Sequence, residues 1–219
     1  VTPRTRLVFL ANPNNPTGTY LAKGEIARLH EALPADVLLV LDAAYREYVD
    51  AADYDDGRAL ARPADNLVVI GTFSKIMGLA GLRLGWAYAP ASVADVLNRV
   101  RGPFNVAAPA QAAGAAALRD DAHVAAAKAH NDRWRPWLDE GLHELGYATT
   151  PSVANFVLMR CADQEAAARV LAVLERGGVL ARAMGAYGLP AAVRLSVGLA
   201  EENRRAVDLL AAARAELAA

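Results

Sequence analysis

A chain of 219 residues, 54% hydrophobic and 21% charged, is long enough to bury a substantial core and has the balance of a globular protein, not a disordered one. Its net charge of −1, without basic tails or blocks, argues against a general binder of nucleic acid or anionic membrane, yet two or three placed arginines suffice for a small anionic substrate. One cysteine, Cys161, excludes an internal disulfide framework and a cysteine-based zinc site and suits a reducing, cytoplasmic setting; no apolar run is long enough to span a bilayer, and no signal peptide is visible.

In chain order, "LVFLA" (7–11) reads as a buried strand that runs into the polar turn "NPNNPTG". Ile26, Leu29 and Leu33 share one face of a helix over 22–33. Strands follow at 37–42 ("VLLVLD"), 66–72 ("NLVVIGT") and 84–90 ("LGWAYAP"). Strands apolar on both faces and separated by helices predict a parallel sheet covered by helices, with ligands beyond the carboxyl ends of the strands. After "RGPFNVAAP" the residues from 109 to 146 are Ala-rich and helical, divided near Arg119-Asp120-Asp121. Strands near 147–150 and 153–160, a helix at 163–176, strands near 178–183 and 192–197, and a helix from about 201 make a second, smaller α+β unit. The expected organisation is residues 1–118 in a large, mostly parallel α/β/α domain and 119–219 in the smaller domain.

The usual nucleotide fingerprints, G-x-G-x-x-G after a strand and the Walker lysine loop, are missing, as is a G-x-S-x-G elbow. His123 and His130 lie seven apart on a predicted helix, about 10 Å along its axis, so one metal ion cannot bridge them. Both read as solvated helix positions, and no metal site is expected.

Polar groups gather instead at strand ends. Asn15 sits in a turn fixed by two prolines and a glycine, where plain turn chemistry is one account of it. Asp42 ends an apolar strand, as a helix cap or as a carboxylate in need of a cation. Tyr45 follows three residues later, in the core or in the same pocket. Thr72 and Ser74 bring hydroxyls to another strand end beside Lys75, and Arg83 returns eight residues after the lysine. Lys75 and Arg83 in "TFSKIMGLAGLRLGW" either snorkel to water or serve a buried anion. As a set, the groups match the needs of pyridoxal phosphate. Lys75 suits a Schiff base, and Asp42 suits the pyridinium nitrogen. Asn15 and Tyr45 suit the phenolic oxygen, while Thr72, Ser74 and Arg83 suit the phosphate.

The order N-P-x-N-P-T-G, D-x-A-Y, T-x-S-K and G-L-R resembles the fold-type I, class II pyridoxal-phosphate aminotransferases. "DAAYREYV", "PSVANFVL" and "GVLARAMGAYGLPAAVRLSVGLAEEN" are most similar to the histidinol-phosphate branch of that family, and the resemblance covers nearly the whole chain. It implies transamination between histidinol phosphate and 2-oxoglutarate in histidine biosynthesis. Lys75 is then also the acid/base, Arg194 the grip on glutamate's α-carboxylate or on the substrate phosphate, and Arg182 a second arginine at that phosphate or a surface residue. Asn155 falls near the substrate in such enzymes. The family also implies a homodimer in the cytoplasm.

The chain begins Val1-Thr2-Pro3, and nothing in it matches the family's phosphate loop or ring-stacking aromatic. The expectation is therefore a carboxyl-terminal portion with little transaminase activity by itself. Alternatives within the fold are an aromatic amino-acid aminotransferase and a decarboxylase of O-phosphorylated amino acids. Outside enzymes, the alternative is the aminotransferase-like sensor portion of a transcription regulator.

Overall fold

Three short runs rich in Val and Leu and a fourth, Gly-Trp-Ala-Tyr, pair in chain order into one sheet: β1 (Leu7–Ala11), β2 (Leu38–Asp42), β3 (Leu67–Thr72) and β4 (Gly85–Tyr88). This architecture comes from a computed structural model that describes residues 1–214 and 217. β1, β2 and β3 are parallel, as expected of strands joined through α1 (Lys23–Ala32) and α2 (Arg58–Ala61). β4 departs from the parallel reading and runs antiparallel to β3, with Thr72 opposite Gly85. The segment between them holds only a single 3₁₀ turn, Ala80–Leu82, so no helix carries the chain back to start a parallel strand.

The core of this sheet is narrower than the sequence suggests. Leu39, Leu41, Leu67 and Val69 pack with Ile26 and Ala61 of the helices, and Val40 and Val68 are buried on the other face. β1 is a correction: it is an edge strand, with Phe9 71% exposed, not a buried one. α3 (Ala91–Val100) follows β4 and has no buried residue, an element the apolar spacing had not singled out.

Helices α4 (Ala108–Ala117) and α5 (Asp121–Glu144) break where expected. Asp120 caps α5, its carboxylate accepting from His123 N–H at 3.0 Å. The second sheet has the order β5 (Ala148–Thr150), β6 (Phe156–Arg160), β8 (Ala192–Ser196), β7 (Arg182–Ala183), all antiparallel. Only two residues of the expected 178–183 strand pair with a neighbour. The stretch before them is consumed in ending α6 (Gln164–Arg176): Gly178, at φ +78°, donates to Glu175 O and Val179 to Leu174 O. Val157, Met159, Val193 and Leu195 face α5, α6 and α7 (Ala200–Ala212) and close the core with Leu138, Leu142, Leu174 and Leu210. The alternation of side chains along β8 therefore turns Arg194 away from that core.

The chain divides into two compact units. Val1–Asn14 and Tyr20–Lys128 form the first; Asn15–Thr19 and the chain from Ala129 form the second. Among the described residues no helix is long and apolar enough to cross a membrane.

Candidate active site

In the first unit the strand order collects six of the candidate residues at one sheet edge. Parallel β2 and β3 end at Asp42 and Thr72, and antiparallel β4 begins just after Arg83, opposite Thr72. Asp42 is half-buried, and its Oδ1 accepts from Ala44 N–H at 3.0 Å, a turn bond that leaves Oδ2 unengaged among the described residues. The turn leads directly to Tyr45, which is 4% exposed.

Lys75 is half-buried between the buried side chains of Phe73 and Ile76. Its Nζ lies 5.0 Å from the centre of the Tyr45 ring, and among the described residues it has neither an ion pair nor a hydrogen bond. The cation sits on an aromatic face, a favourable but modest contact that does not replace an anion. Thr72 organises the approach: its hydroxyl accepts from Ser74 N–H at 3.0 Å and donates to Leu84 O at 3.4 Å. The Ser74 hydroxyl has no partner among the described residues. Arg83 adopts φ +53°, a left-handed conformation uncommon for a residue with a side chain. It is exposed, and its Nη1 donates to Ala80 O at 2.7 Å. Its guanidinium reaches water, the first of the two arrangements open to it from the sequence.

In the second unit, Arg194 lies with its guanidinium 4.8 Å from the Phe156 ring centre, and its Nη1 donates to Asn15 Oδ1 at 2.5 Å. Its Nε is buried with no hydrogen-bond partner among the described residues. Asn15 is held there by its own turn: Gly18 O accepts from Val153 N–H at 2.9 Å, and a Cβ on Gly18 would lie 2.1 Å from Ser152 Oγ. Arg182 pairs directly opposite Arg194 across β7 and β8, so two guanidinium side chains share a sheet face. Among the described residues no carboxylate pairs with either. Arg182 is exposed, its guanidinium 5.7 Å from the Tyr187 ring centre. Asn155 is fixed through its carbonyl, which accepts from Val197 N–H at 2.9 Å; the structure does not join its side chain to Arg194 by a hydrogen bond.

Two contributors were not expected from the sequence. Asn12 closes the turn that carries Asn15, its side chain bonding both N–H and C=O of Leu21; its place in "NPNNPTG" was the available signal. Phe156 supports Arg194 from the neighbouring strand β6, far away in the sequence, so no local pattern encodes the contact. His123 is exposed, as read from the sequence, and His130 is half-buried; each ring also bonds a backbone carbonyl. His123 Nε2 meets Ile76 O at 3.0 Å, and His130 Nε2 meets Gly198 O at 2.8 Å.

The chain matches the family "Aminotransferase class I and II" over residues 1–210. It is 54% identical over 213 residues to a histidinol-phosphate aminotransferase of Paramagnetospirillum magneticum, covering 96% of this chain and 58% of that protein. The corresponding enzyme of Nitrobacter hamburgensis is 51% identical, with 95% and 58% covered. The chain thus spans a little under three-fifths of the length of these relatives. The crystal structure of histidinol-phosphate aminotransferase from Sinorhizobium meliloti in complex with pyridoxal-5'-phosphate superposes with a TM-score of 0.85 at 30% identity, covering 97% of this chain and 57% of that one. L-threonine-O-3-phosphate decarboxylase from Porphyromonas gingivalis gives 0.81 at 26% identity, with 94% and 63% covered. The α/β fold expected from the sequence, that of the fold-type I pyridoxal-phosphate transferases, is common to these structures. Lysine, aspartate, asparagine and arginine at strand ends, on this fold and with a match along nearly the entire chain, identify it as a member of the class I and II aminotransferase family.

Proposed function

We propose that the protein carrying this chain is a pyridoxal-phosphate-dependent aminotransferase acting between histidinol phosphate and 2-oxoglutarate. The observation that carries the reading is Lys75: a half-buried amine against an aromatic face with no counter-ion among the described residues. Such a group fits an anionic aldehyde cofactor, with which it can react and whose charge it can offset. Bound, the cofactor supplies the aldehyde and a protonated ring that withdraws electrons from the substrate's Cα.

The chain's own residues then have distinct tasks. Asp42 Oδ2 is available to accept from the ring nitrogen and keep it protonated. Ser74 and Arg83 would supply a hydroxyl and a guanidinium donor for the cofactor phosphate, and Thr72 would add its own once its hydroxyl turns away from Leu84 O. Asn15 has its oxygen taken by Arg194, so its amide nitrogen remains to donate, with Tyr45, to the phenolic oxygen. Lys75 Nζ would take up and return the proton at the substrate's Cα, a role that suits an amine on a short, anchored loop. Arg194 offers a planar fork to the α-carboxylate of glutamate, and Arg182 beside it fits the additional charge of a phosphate. Asn155 is assigned to the substrate side.

Residues 1–118 make the cofactor-binding domain in this reading and 119–219 the smaller one, within a cytoplasmic homodimer. The names of the two curated relatives favour histidinol phosphate over threonine phosphate or phenylalanine as amino donor.

The test is the visible spectrum of the purified protein with added pyridoxal phosphate, before and after glutamate, with Lys75→Ala alongside. A band that forms, fades with glutamate and is absent from the variant is expected. No band in the wild type, or an equal band in Lys75→Ala, would overturn the assignment. Comparing histidinol phosphate, threonine phosphate and phenylalanine as donors then tests the substrate.

A further inference from the structure

The loop that carries Lys75 is fastened at three carbonyls, by different means. Phe73 O accepts from Leu79 N–H at 2.9 Å and Lys75 O from Gly78 N–H at 2.9 Å, both inside the loop. Ile76 O has its donor 47 residues away, where His123 Nε2 approaches to 3.0 Å from the first turn of α5. A carbonyl oxygen can only accept, so Nε2 carries the proton whether the ring is neutral or charged. The histidine is itself fixed, since its backbone N–H is held by the Asp120 cap at 3.0 Å. A second tie joins the same helix to the segment after Tyr45: Lys128 Nζ lies 2.5 Å from Asp50 Oδ2. The first turns of α5 are therefore bonded to both segments whose side chains meet as Lys75 over Tyr45.

We propose that His123 is a positioning residue for Lys75, fixing the loop so that Nζ stays poised for the cofactor aldehyde. The inference rests on the functional reading of Lys75 given above. Three features favour positioning over a general structural role. His123 is exposed, so its truncation opens no cavity in the core. Its ring bond goes to the residue next to Lys75. Ile76 is buried, 3% exposed, so a displaced carbonyl there must move the loop or go unpaired.

The test uses the wild-type protein, His123→Ala, His123→Gln and His123→Asn, each mixed with pyridoxal phosphate and quenched with borohydride at timed intervals. Condensation of Nζ with the aldehyde releases water, and borohydride reduces the resulting C=N bond to a stable secondary amine on Lys75, scored by peptide mass. His123→Ala is expected to form the adduct about tenfold more slowly, as a displaced reacting group requires. Its thermal midpoint stays that of the wild type, and kcat falls while KM for glutamate holds. Gln places an amide donor near Nε2 and restores the rate; Asn, whose donor stops near Nδ1, does not.

Wild-type rates in His123→Ala would overturn the proposal. So would a lowered thermal midpoint in all three variants with no recovery in Gln, which marks a structural role only. Wild-type protein that forms no Lys75 adduct would overturn the functional reading as well, and so separates the two failures.

Discussion

Arg194 Nη1 donates to Asn15 Oδ1 at 2.5 Å across 179 residues of sequence, and that bond fixes the orientation of both side chains. Asn15 presents its amide nitrogen because its oxygen is occupied. Arg194 presents the rest of its fork because Phe156 supports it from one side. Asn15→Ala should lower kcat/KM for glutamate about tenfold, the loss of one charge-assisted bond. Asn15→Asp should be worse, because a carboxylate competes with the substrate anion for the guanidinium. Arg194→Lys should cost roughly a hundredfold, since an ammonium cannot bind bidentately. Steady-state kinetics with glutamate checks all three; an Asp variant better than Ala would contradict the arrangement.

Gly18 is constrained twice, by φ +75° and by Ser152, whose Cα would lie 2.9 Å from an added Cβ. Gly18→Ala should therefore destabilise the protein by about 2 kcal/mol or more, read as a lower midpoint in urea unfolding. Combining it with Ser152→Gly should recover part of the loss but not the backbone strain.

Cys161 should alkylate slowly. Burial pushes its thiol up to about 11, with nearby Asp163 adding to the effect. At pH 8 its thiolate fraction is about a hundredfold below that of a free thiol, so the iodoacetamide rate should be low there and keep rising past pH 9. A rate that plateaus near pH 9 would refute the burial effect.

The ion pair between Lys128 and Asp50 should matter little for stability. Asp50 is 74% exposed at its side chain, where solvent and salt screen the attraction. Asp50→Asn should shift ΔG of unfolding by less than about 1 kcal/mol, and the shift should shrink in 0.5 M salt. Chemical denaturation at two salt concentrations measures both.

Much of the fold was legible because hydrophobic period and turn residues are local signals. β2, β3, α1 and α6 fall within a residue or so of their expected limits. The errors share a cause: each depended on what lies across space. Leu7 and Phe9 carry the composition of a buried strand, yet β1 has a neighbour on one side only among the described residues. The direction of β4 was set by a connection without a helix, a feature of the loop and not of the strand. The candidate residues were readable as residue types at strand ends. Their supports were not: His123 is one unremarkable histidine on an Ala-rich helix until Ile76 is placed beside it.

The reversal of the chain between β3 and β4 makes the interval from Lys75 to Arg83 a length as well as a motif. Both ends of that interval are pinned, by Phe73 N–H on Leu84 O and by Thr72 opposite Gly85. Adding or deleting one residue inside it has no slack to absorb the change and must shift Lys75, Arg83 or the pairing of the strands. Loop tolerance, ordinarily generous at the surface, should therefore fail here even for insertions of glycine.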